Sequence, residues 1–309
     1  MERNLLQYLA VTLRGIGMGA ADVIPGVSGG TIAFITGIYE ELIDSLGNIN
    51  FGALRKWKNQ GFKAFWKHIN GNFFVALFLG IFISVASLAK LVTFLLEEYP
   101  VLLWSFFFGL VLSSAILVLR KITEWNVLSF VGLLIGTAVA GYISSIETVA
   151  SGGESWYIVL SGAIAICAMI LPGISGAFIL VLLGSYNLVI EGIKDIDLKV
   201  IGLFAIGCVV GLLSFSRLLK YLFANFKNIV LAVLSGFLFG SLWKIWPWKN
   251  RVGEEPLVIH SDGKEDWMMT NALPANYEGT PELTWAIVLA ILGFAIVFVM
   301  ERFGAKEEK

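Results

Sequence analysis

The chain contains 309 residues, of which 57% are hydrophobic and 15% are charged, and its formal net charge is −1. Soluble domains carry about 25% charged residues, so the composition excludes an ordinary soluble protein and predicts one that crosses a membrane several times. The two cysteines, Cys167 and Cys208, stand in apolar segments at no metal-ligand spacing, which favours a plain buried role. We expect neither a metal nor a cofactor, and no nucleic-acid partner.

The first apolar region, residues 16–43, contains a break. Its sequence VIPGVSGGTIAFITGIYEELI (23–43) places Pro25 and several glycines where a membrane helix would run. Pro25 lacks an amide hydrogen and glycine allows positive φ, so one helix is predicted to end here and another to begin. Broken backbone in a membrane is tolerated only where protein buries it or where it lines a water-filled cavity. The amides that start the next helix, with the Ser28 hydroxyl, predict an anion site, and the alternative is a packing kink without a ligand.

A basic segment follows at residues 48–70. The stretch LRKWKNQGFKAFWKHIN (54–70) carries five Lys and Arg residues and no acidic residue, which by the positive-inside rule places it in the cytoplasm. Its aromatic residues recur at helical spacing, so we predict an amphipathic helix along the inner membrane surface. This insert either recruits anionic lipid or only determines topology.

Apolar runs of about the length needed to cross a bilayer occupy most of the remaining chain. They cover about 73–96, 101–119, 126–146, 201–223, 228–243 and 284–301. A second broken region, 157–191, contains ILPGISGAFILVLLGSYNLVI (170–190), in which Pro172, Gly173, Ser175 and Gly176 repeat the arrangement of the first break. Two similar breaks in corresponding positions are the best pointer that a sequence offers to a transport site near the midplane.

The chain reads as two copies of one unit. At an offset of 147 Pro25 aligns with Pro172 and Ser28 with Ser175, and at an offset of 127 Lys90 aligns with Arg217. The predicted fold is an all-α polytopic membrane protein with two repeats, 1–146 and 147–309. Each is a broken re-entrant helix pair followed by three transmembrane helices. Three crossings separate the copies, so the repeats are predicted to be inverted.

The basic residues also predict the orientation of the chain. Both termini and the insert 48–70 fall in the cytoplasm, while the loop at 147–154 and the polar insertion at 244–283 fall outside. Tryptophans flank the start of that insertion, as is typical of a membrane interface. We therefore expect a multi-pass protein of the cell inner (cytoplasmic) membrane.

Charged residues inside the apolar segments are the remaining candidates for function. The guanidinium group of Arg217 suits a phosphate, and the alternative for Lys90 is that its side chain reaches the interface. Arg14 and Asp22 flank the approach to the first motif. Asp22 is expected to pair with a base or to cap the next helix, and coupling to a proton is the further possibility. Glu41, near the cytoplasmic end of the first broken segment, is a second possible coupling residue or an exposed interfacial carboxylate.

The motifs GAADVIPGVSGGTIAFITGIYEELI and MILPGISGAFILVLLGSYNLVI resemble the paired signatures of the bacterial polyprenyl-phosphate transporter family. The resemblance covers essentially the whole chain. It implies that undecaprenyl phosphate is the substrate and that this lipid carrier returns from the outer to the inner leaflet for reuse in cell-wall synthesis. It does not determine the binding residues. From the residues themselves, the predicted substrate-binding set is Pro25, Gly26, Val27, Ser28, Gly29, Gly30, Pro172, Gly173, Ser175, Gly176, Arg217, Lys90 and Arg14.

Two other classes of protein are possible on the same motifs. Membrane phosphatases that act on polyprenyl diphosphates also use a Pro-Gly-x-Ser loop, but there an arginine follows the serine and a spaced pair of glutamates performs acid-base chemistry. Here Gly29 and Gly176 follow the serines, and Glu40 and Glu41 are adjacent, so they point in different directions on a helix. The prediction is therefore that the chain is not an enzyme. An anion channel with Gly-Ser-Gly loops is the other alternative, which ion-flux measurements distinguish.

Overall fold

The computed structural model describes residues 3–22, 28–145, 154–253, 258–259 and 265–304. Its helices are α1 (Leu5–Asp22), α2 (Gly29–Ile35), α3 (Tyr39–Gly47), α4 (Phe51–Gln60), α5 (Phe62–His68), α6 (Gly71–Glu98), α7 (Pro100–Arg120), α8 (Val127–Ser145), α9 (Ser155–Ile170), α10 (Gly176–Leu182), α11 (Tyr186–Lys194), α12 (Leu198–Ser241) and α13 (Leu283–Gly304). Four short strands are β1 (Lys249–Val252), β2 (Val258–Ile259), β3 (Glu265–Asp266) and β4 (Met268–Asn271). The mostly helical fold agrees with the predicted all-α class, and the strands were not predicted.

Several helices have the composition of membrane spans. By length and composition Pro100–Arg120 and Leu198–Ser241 could each cross a membrane, and the bent pair Phe62–His68 with Gly71–Ser87 could supply a third span. Val127–Ile143, Ser155–Ile170 and Leu283–Val299 are shorter apolar helices. The long α12 has a non-helical residue, Phe226, so it consists of two straight parts, which we call α12a (198–225) and α12b (227–241). At about 1.5 Å per residue, each part is much closer to the thickness of a bilayer than the whole helix is.

Both predicted breaks separate helices. α1 ends at Asp22 and α2 begins at Gly29, while α9 ends at Ile170 and α10 begins at Gly176. Each short helix has seven residues and turns at a glycine of positive φ, Gly37 or Gly184, into a second helix of nine residues. We call α2 with α3 the first hairpin and α10 with α11 the second hairpin.

The long helices pack in four main pairs. α1 lies against α6, and α9 lies against α12a; α7 lies against α13, and α8 lies against α12b. The first hairpin lies between these pairs and contributes to the main hydrophobic core, whose largest buried side chains include Phe34, Ile43, Phe73, Leu231 and Leu238. α3 also packs against α12. The fold therefore surrounds the first break with protein on several sides.

Two insertions depart from this helical bundle. The basic insert forms α4 and α5, which expose Phe51, Trp57 and Phe62 beside their lysines, as an amphipathic surface segment does. The polar insertion forms an antiparallel pair of β1 with β4 and a second pair of β2 with β3. Its tryptophans Trp246 and Trp248 pack against each other at the end of α12, with ring centroids 5.5 Å apart.

Candidate functional site

The start of α2 touches the second break directly. The Ser28 hydroxyl donates to the carbonyl oxygens of Met169, at 2.9 Å, and Leu171, at 3.3 Å. In return the Gly173 amide donates to the Thr31 hydroxyl at 3.0 Å. Two segments about 140 residues apart in the chain are thus joined by reciprocal polar contacts. This junction is the point where the predicted site residues of the two motifs meet.

Two glycines make this close approach possible. A Cβ atom at Gly30 would lie 2.5 Å from the Ile170 carbonyl oxygen, which is too short for any side chain. Gly173 has φ of +85°, and a Cβ there would lie 2.9 Å from the Phe237 carbonyl oxygen. Glycine is the residue that allows both the positive φ and the contact of backbone with backbone. The close approach of the two breaks and of α12b therefore explains why glycine stands at positions 30 and 173.

The first amides of α2 have partners within the chain. Asp22, the last residue of α1, accepts the Gly29 amide at 2.7 Å, and the Ser28 hydroxyl oxygen accepts the Gly30 amide at 3.1 Å. The predicted capping role of Asp22 is thus seen as a contact across the break. The anion site that we expected at these amides is occupied by a carboxylate of the protein itself. An incoming anion would have to compete with Asp22 for the Gly29 amide.

The other predicted residues near the breaks lie around this junction. Pro172, Ser175 and Gly176 are buried, and a Cβ at Gly176 would lie 2.6 Å from the Ala165 carbonyl oxygen. Arg14 is half-buried in α1, eight positions and so about two helical turns before Asp22. Pro25, Gly26 and Val27 lie outside the described residues. Lys90 belongs to α6, but its side chain also lies outside the described part of the chain.

Arg217 lies elsewhere. Its guanidinium donates to the Ile49 carbonyl at 3.1 Å, just beyond the end of α3. One turn later Lys220 donates to Asn48 at 2.9 Å and lies 3.3 Å from Asp44. Within the described residues, no hydrogen bond connects Arg217 to either break. The sequence predicted that Arg217 shares one site with the two breaks, but in the structure Arg217 lies outside their junction.

Acidic residues of α3 join three different elements through ion pairs. Glu41 binds Arg3 near the N-terminus, Glu40 lies 2.8 Å from Lys227 of α12b, and Asp44 contacts Lys220 of α12a. The Asn70 side-chain amide also donates to Glu41 at 2.8 Å. We call these three pairs the α3 ion pairs. The possible coupling residue Glu41 is thus part of a structural cluster, and within the described residues no group of three or more metal-ligand side chains forms.

The sequence missed several contributors to these sites. Thr31 and Leu171 flank the motifs and contribute an ordinary hydroxyl and a backbone carbonyl. Asn48 and Lys227 are recognisable only after folding, because they lie about 170–190 residues from their partners. For Thr31, its place one residue after the Ser-Gly-Gly run is a usable signal, since side chains in the first turn of a helix face the preceding loop.

Fold and site together define a helical membrane protein in which two broken helices meet through their backbones. A family model described as undecaprenyl phosphate translocase-like matches residues 18–258, and the chain belongs to this family. It is 42% identical over 99% of its length to a polyprenyl-phosphate transporter of Vibrio cholerae serotype O1, all of which is covered. A polyprenyl-phosphate transporter of Staphylococcus aureus is 28% identical, over 96% of this chain and 97% of that protein. No solved structure matches.

These comparisons confirm the predicted family resemblance. Both relatives are named as transporters rather than as enzymes, in agreement with the prediction that the chain is not an enzyme.

Proposed function

We propose that this protein translocates undecaprenyl phosphate, or a similar polyprenyl phosphate, across the cytoplasmic membrane. The expected direction is from the outer to the inner leaflet, which returns the lipid carrier for cell-wall synthesis. Family membership and the names of two nearly full-length relatives support the transported substrate. The observation that carries the proposal is the contact between the two breaks. Irregular backbone buried between helices is where transporters bind their substrates.

The proposed transporter consists of two inverted repeats, 1–146 and 147–309. Helix packing supports this, because close contacts recur at matching positions. A Cβ at Gly80 would lie 2.0 Å from the Thr12 carbonyl oxygen, and one at Gly207 would lie 2.0 Å from that of Val159. The first contact joins α1 to α6, and the second joins α9 to α12a. Thr12 and Val159 are related by the offset of 147 found in the sequence, and Gly80 and Gly207 by the offset of 127. The same surfaces are thus used twice.

A second set of contacts links the two halves. A Cβ at Gly109 of α7 would lie 1.8 Å from the Ala290 carbonyl oxygen of α13, and one at Gly236 of α12b would lie 2.4 Å from that of Leu133 of α8. Gly109 and Gly236 are equivalent in the proposed repeats. Each half therefore packs its second spanning helix on the third spanning helix of the other half. This reciprocal packing supports two related halves that move around a common centre, as alternating access requires.

The proposed headgroup site lies at the junction of the breaks. Its amide donors are Gly29 and Gly30, with Ser28 and Ser175 as hydroxyl groups. Pro172, Gly173 and Gly176 belong to the second break. Pro25, Gly26 and Val27, which lie outside the described residues, are also proposed to belong to the site, and Arg14 and Lys90 are proposed to contribute positive charge. Arg217 lies beside the end of α3, and we propose that it contacts the headgroup after the headgroup leaves the junction.

Coupling is proposed to act through Asp22. Its carboxylate accepts the Gly29 amide that a phosphate would use, so the carboxylate and the phosphate compete. Protonation of Asp22 would weaken its hold on that amide and remove a repulsive charge. Glu41, in its ion pair with Arg3, is the second proposed coupling residue. The prenyl chain stays in the lipid beside the helices, since only the headgroup needs polar partners.

The test is translocation by purified protein in liposomes that contain a polyprenyl phosphate, with headgroup accessibility read from outside. We expect faster exchange than in empty liposomes, with no phosphate released and no chloride flux. Arg217→Ala should slow exchange while the protein still inserts. Exchange no faster than in empty liposomes would contradict the proposal. Rapid chloride flux without lipid exchange would instead identify an anion channel.

A further inference from the structure

A cavity of about 840 Å³ opens where α12b ends and the polar insertion begins. Its walls are mainly aromatic and apolar and come from α7, α8, α12b and the end of β4: Phe108, Gly141, Phe239, Trp243, Trp246 and Leu273. A cavity of this size accommodates a small molecule or a section of a lipid chain. None of its lining residues belongs to either break, so it is a separate feature of the molecule.

The insertion builds one wall of this cavity. The Trp246 ring packs edge-on against Phe108 with centroids 5.5 Å apart, and its Nε1 donates to the Ala272 carbonyl at 2.8 Å. The Asn271 side-chain amide donates to the Trp243 carbonyl at 2.8 Å. These contacts connect the strand β4 to the end of α12b. The wall is therefore held in place by specific hydrogen bonds.

A lysine that has no carboxylate partner among the described residues lies beside this wall. Lys249 is opposite Asn271 in the β1–β4 pair, so their side chains share one face of the hairpin. Its Nζ donates to the Lys244 carbonyl and lies 4.9 Å from the centroid of the Trp104 ring, one helical turn from Phe108. Within the described residues, no carboxylate is within salt-bridge distance of Lys249.

The environment of Lys249 favours an anion. Burial, with a smaller contribution from the charge of Lys244, lowers the pKa of the Lys249 ammonium group to about 7. Burial also lowers the pKa of Lys244. An ammonium group has three donors, and a partly buried cation without a counter-charge is costly. An anion placed beside Lys249 would relieve this cost.

We propose that this cavity is a docking site for a polyprenyl phosphate, with the isoprenoid chain between the aromatic walls and the phosphate beside Lys249. The inference rests on the proposed function and adds a binding site on the external side of the protein. Charge complementarity decides the occupant. A neutral lipid would fill the apolar walls but place no negative charge beside Lys249, which has no carboxylate partner among the described residues, whereas free phosphate would leave the walls empty.

One pair of variants tests the cavity itself. Gly141 lines the cavity, and a Cβ there meets no atom within 4 Å, so Gly141→Phe fills the space without displacing backbone. Gly202→Phe is the matched control, because a Cβ at Gly202 also meets no atom within 4 Å and Gly202 does not line the cavity. A second pair tests the charge. Lys249→Gln removes the proposed phosphate contact, and Arg251→Gln removes an exposed charge from the same strand.

The experiment measures binding of farnesyl phosphate, a short-chain polyprenyl phosphate, to the purified full-length protein in detergent. Farnesol and inorganic phosphate are the comparison probes. We expect Gly141→Phe and Lys249→Gln each to weaken binding of farnesyl phosphate by about tenfold or more, and the two controls to bind like wild type. Lys249→Gln should leave the binding of farnesol unchanged. Inorganic phosphate should bind much more weakly than farnesyl phosphate.

Equal binding of farnesyl phosphate by all five proteins would overturn the cavity site, as would inorganic phosphate binding as tightly as farnesyl phosphate. Farnesol binding as tightly as farnesyl phosphate would overturn the role of Lys249. The liposome assay on the same wild-type preparation separates this inference from the proposed function. If the wild type translocates the lipid but all variants bind farnesyl phosphate equally, only the cavity site is refuted. If binding depends on the cavity but the wild type does not translocate the lipid, only the proposed transport function is refuted.

Discussion

The two hairpins have the same lengths and the same glycine turns, but they lie in different surroundings. In the first hairpin α3 is largely buried and the three α3 ion pairs tie it to the N-terminus, α12a and α12b. In the second hairpin α11 packs on the start of α12 and leaves Ile193 54% exposed. Among the side chains of α11 that the structure describes, none forms an ion pair. Related segments thus differ in how firmly they are held.

This difference has a physical interpretation in the proposed cycle. In a transporter with two inverted repeats, the two repeats adopt different conformations in each state, so the molecule is asymmetric. When the repeats exchange conformations, the transporter passes to its other state. In the proposed orientation, the firmly held first hairpin would then close the cytoplasmic side, and the less firmly held second hairpin would lie toward the external side. Each prediction below either removes this contrast or measures a part of it.

The largest expected effect comes from separating the two breaks. Gly30→Leu places a side chain where the Ile170 carbonyl oxygen lies 2.5 Å away, so the backbones must move apart. We expect translocation to be abolished. Gly202→Leu, in an open position, is the control and should translocate normally. Size-exclusion chromatography checks that the variant is folded, and normal translocation by a folded Gly30→Leu protein would refute the junction as the site.

A second prediction concerns the charge that caps α2. Asp22→Asn keeps an oxygen that accepts the Gly29 amide but cannot titrate. If protonation of Asp22 frees that amide for the phosphate, wild-type translocation should be faster at pH 6 than at pH 8. The variant should show a flat profile. Initial rates in liposomes buffered equally on both sides provide the measurement, and a pH dependence that survives in the variant would exclude Asp22 as the coupling group.

The α3 ion pairs provide the third prediction. Partly exposed pairs contribute about 0.2–1 kcal/mol each, so removing all three should loosen α3 without unfolding the protein. We expect a variant with Glu40→Gln, Glu41→Gln and Asp44→Asn to increase maleimide labelling of a cysteine placed at the buried Ser45 by about fivefold. The two native cysteines are first replaced by alanine.

Glu191→Gln in α11 is the matched control for that variant. Because Glu191 forms no ion pair with the described side chains, this substitution should leave labelling at position 45 unchanged. Equal labelling in the triple variant and in the control would mean that the ion pairs do not hold the first hairpin closed.

How far the sequence could predict these features depends on the range of the interactions. Pro25, Pro172 and the motif glycines act locally, so the breaks and the helix order were predictable. The contact of Ser28 with Leu171 depends on how two distant segments pack, and no local pattern encodes it. Arg217 was grouped with the breaks because of its charge and its alignment with Lys90. Its actual partner is the Ile49 carbonyl, which carries no sequence signal.

The strands of the polar insertion were also missed. They are only two to four residues long, so the alternation that identifies a half-buried strand is too short to detect. The kink at Phe226 separates two predicted spans without a proline or glycine beside it. In both places tertiary contacts determine the local structure.

The contrast between the two sides of the molecule extends to the lysines, which leads to the smallest predicted effect. Lys220 and Lys227 beside α3 have carboxylate partners, whereas Lys249 has none among the described residues. Because the pKa of Lys249 is about 7 when folded and 10.5 when unfolded, the unfolded chain binds more protons between these values. Stability should therefore rise with pH in this range, by at most about 2 kcal/mol between pH 7 and 9.

The measurement is the melting temperature in detergent at pH 7, 8 and 9 for wild type and for Lys249→Met. The difference between the two proteins removes the contribution of all other groups that titrate in this range. We expect the wild type to gain a few degrees relative to the variant as the pH rises, because the cost of burying the charged amine disappears. A constant difference across the range would show that Lys249 keeps its proton, and hence that its charge is already compensated in the folded protein.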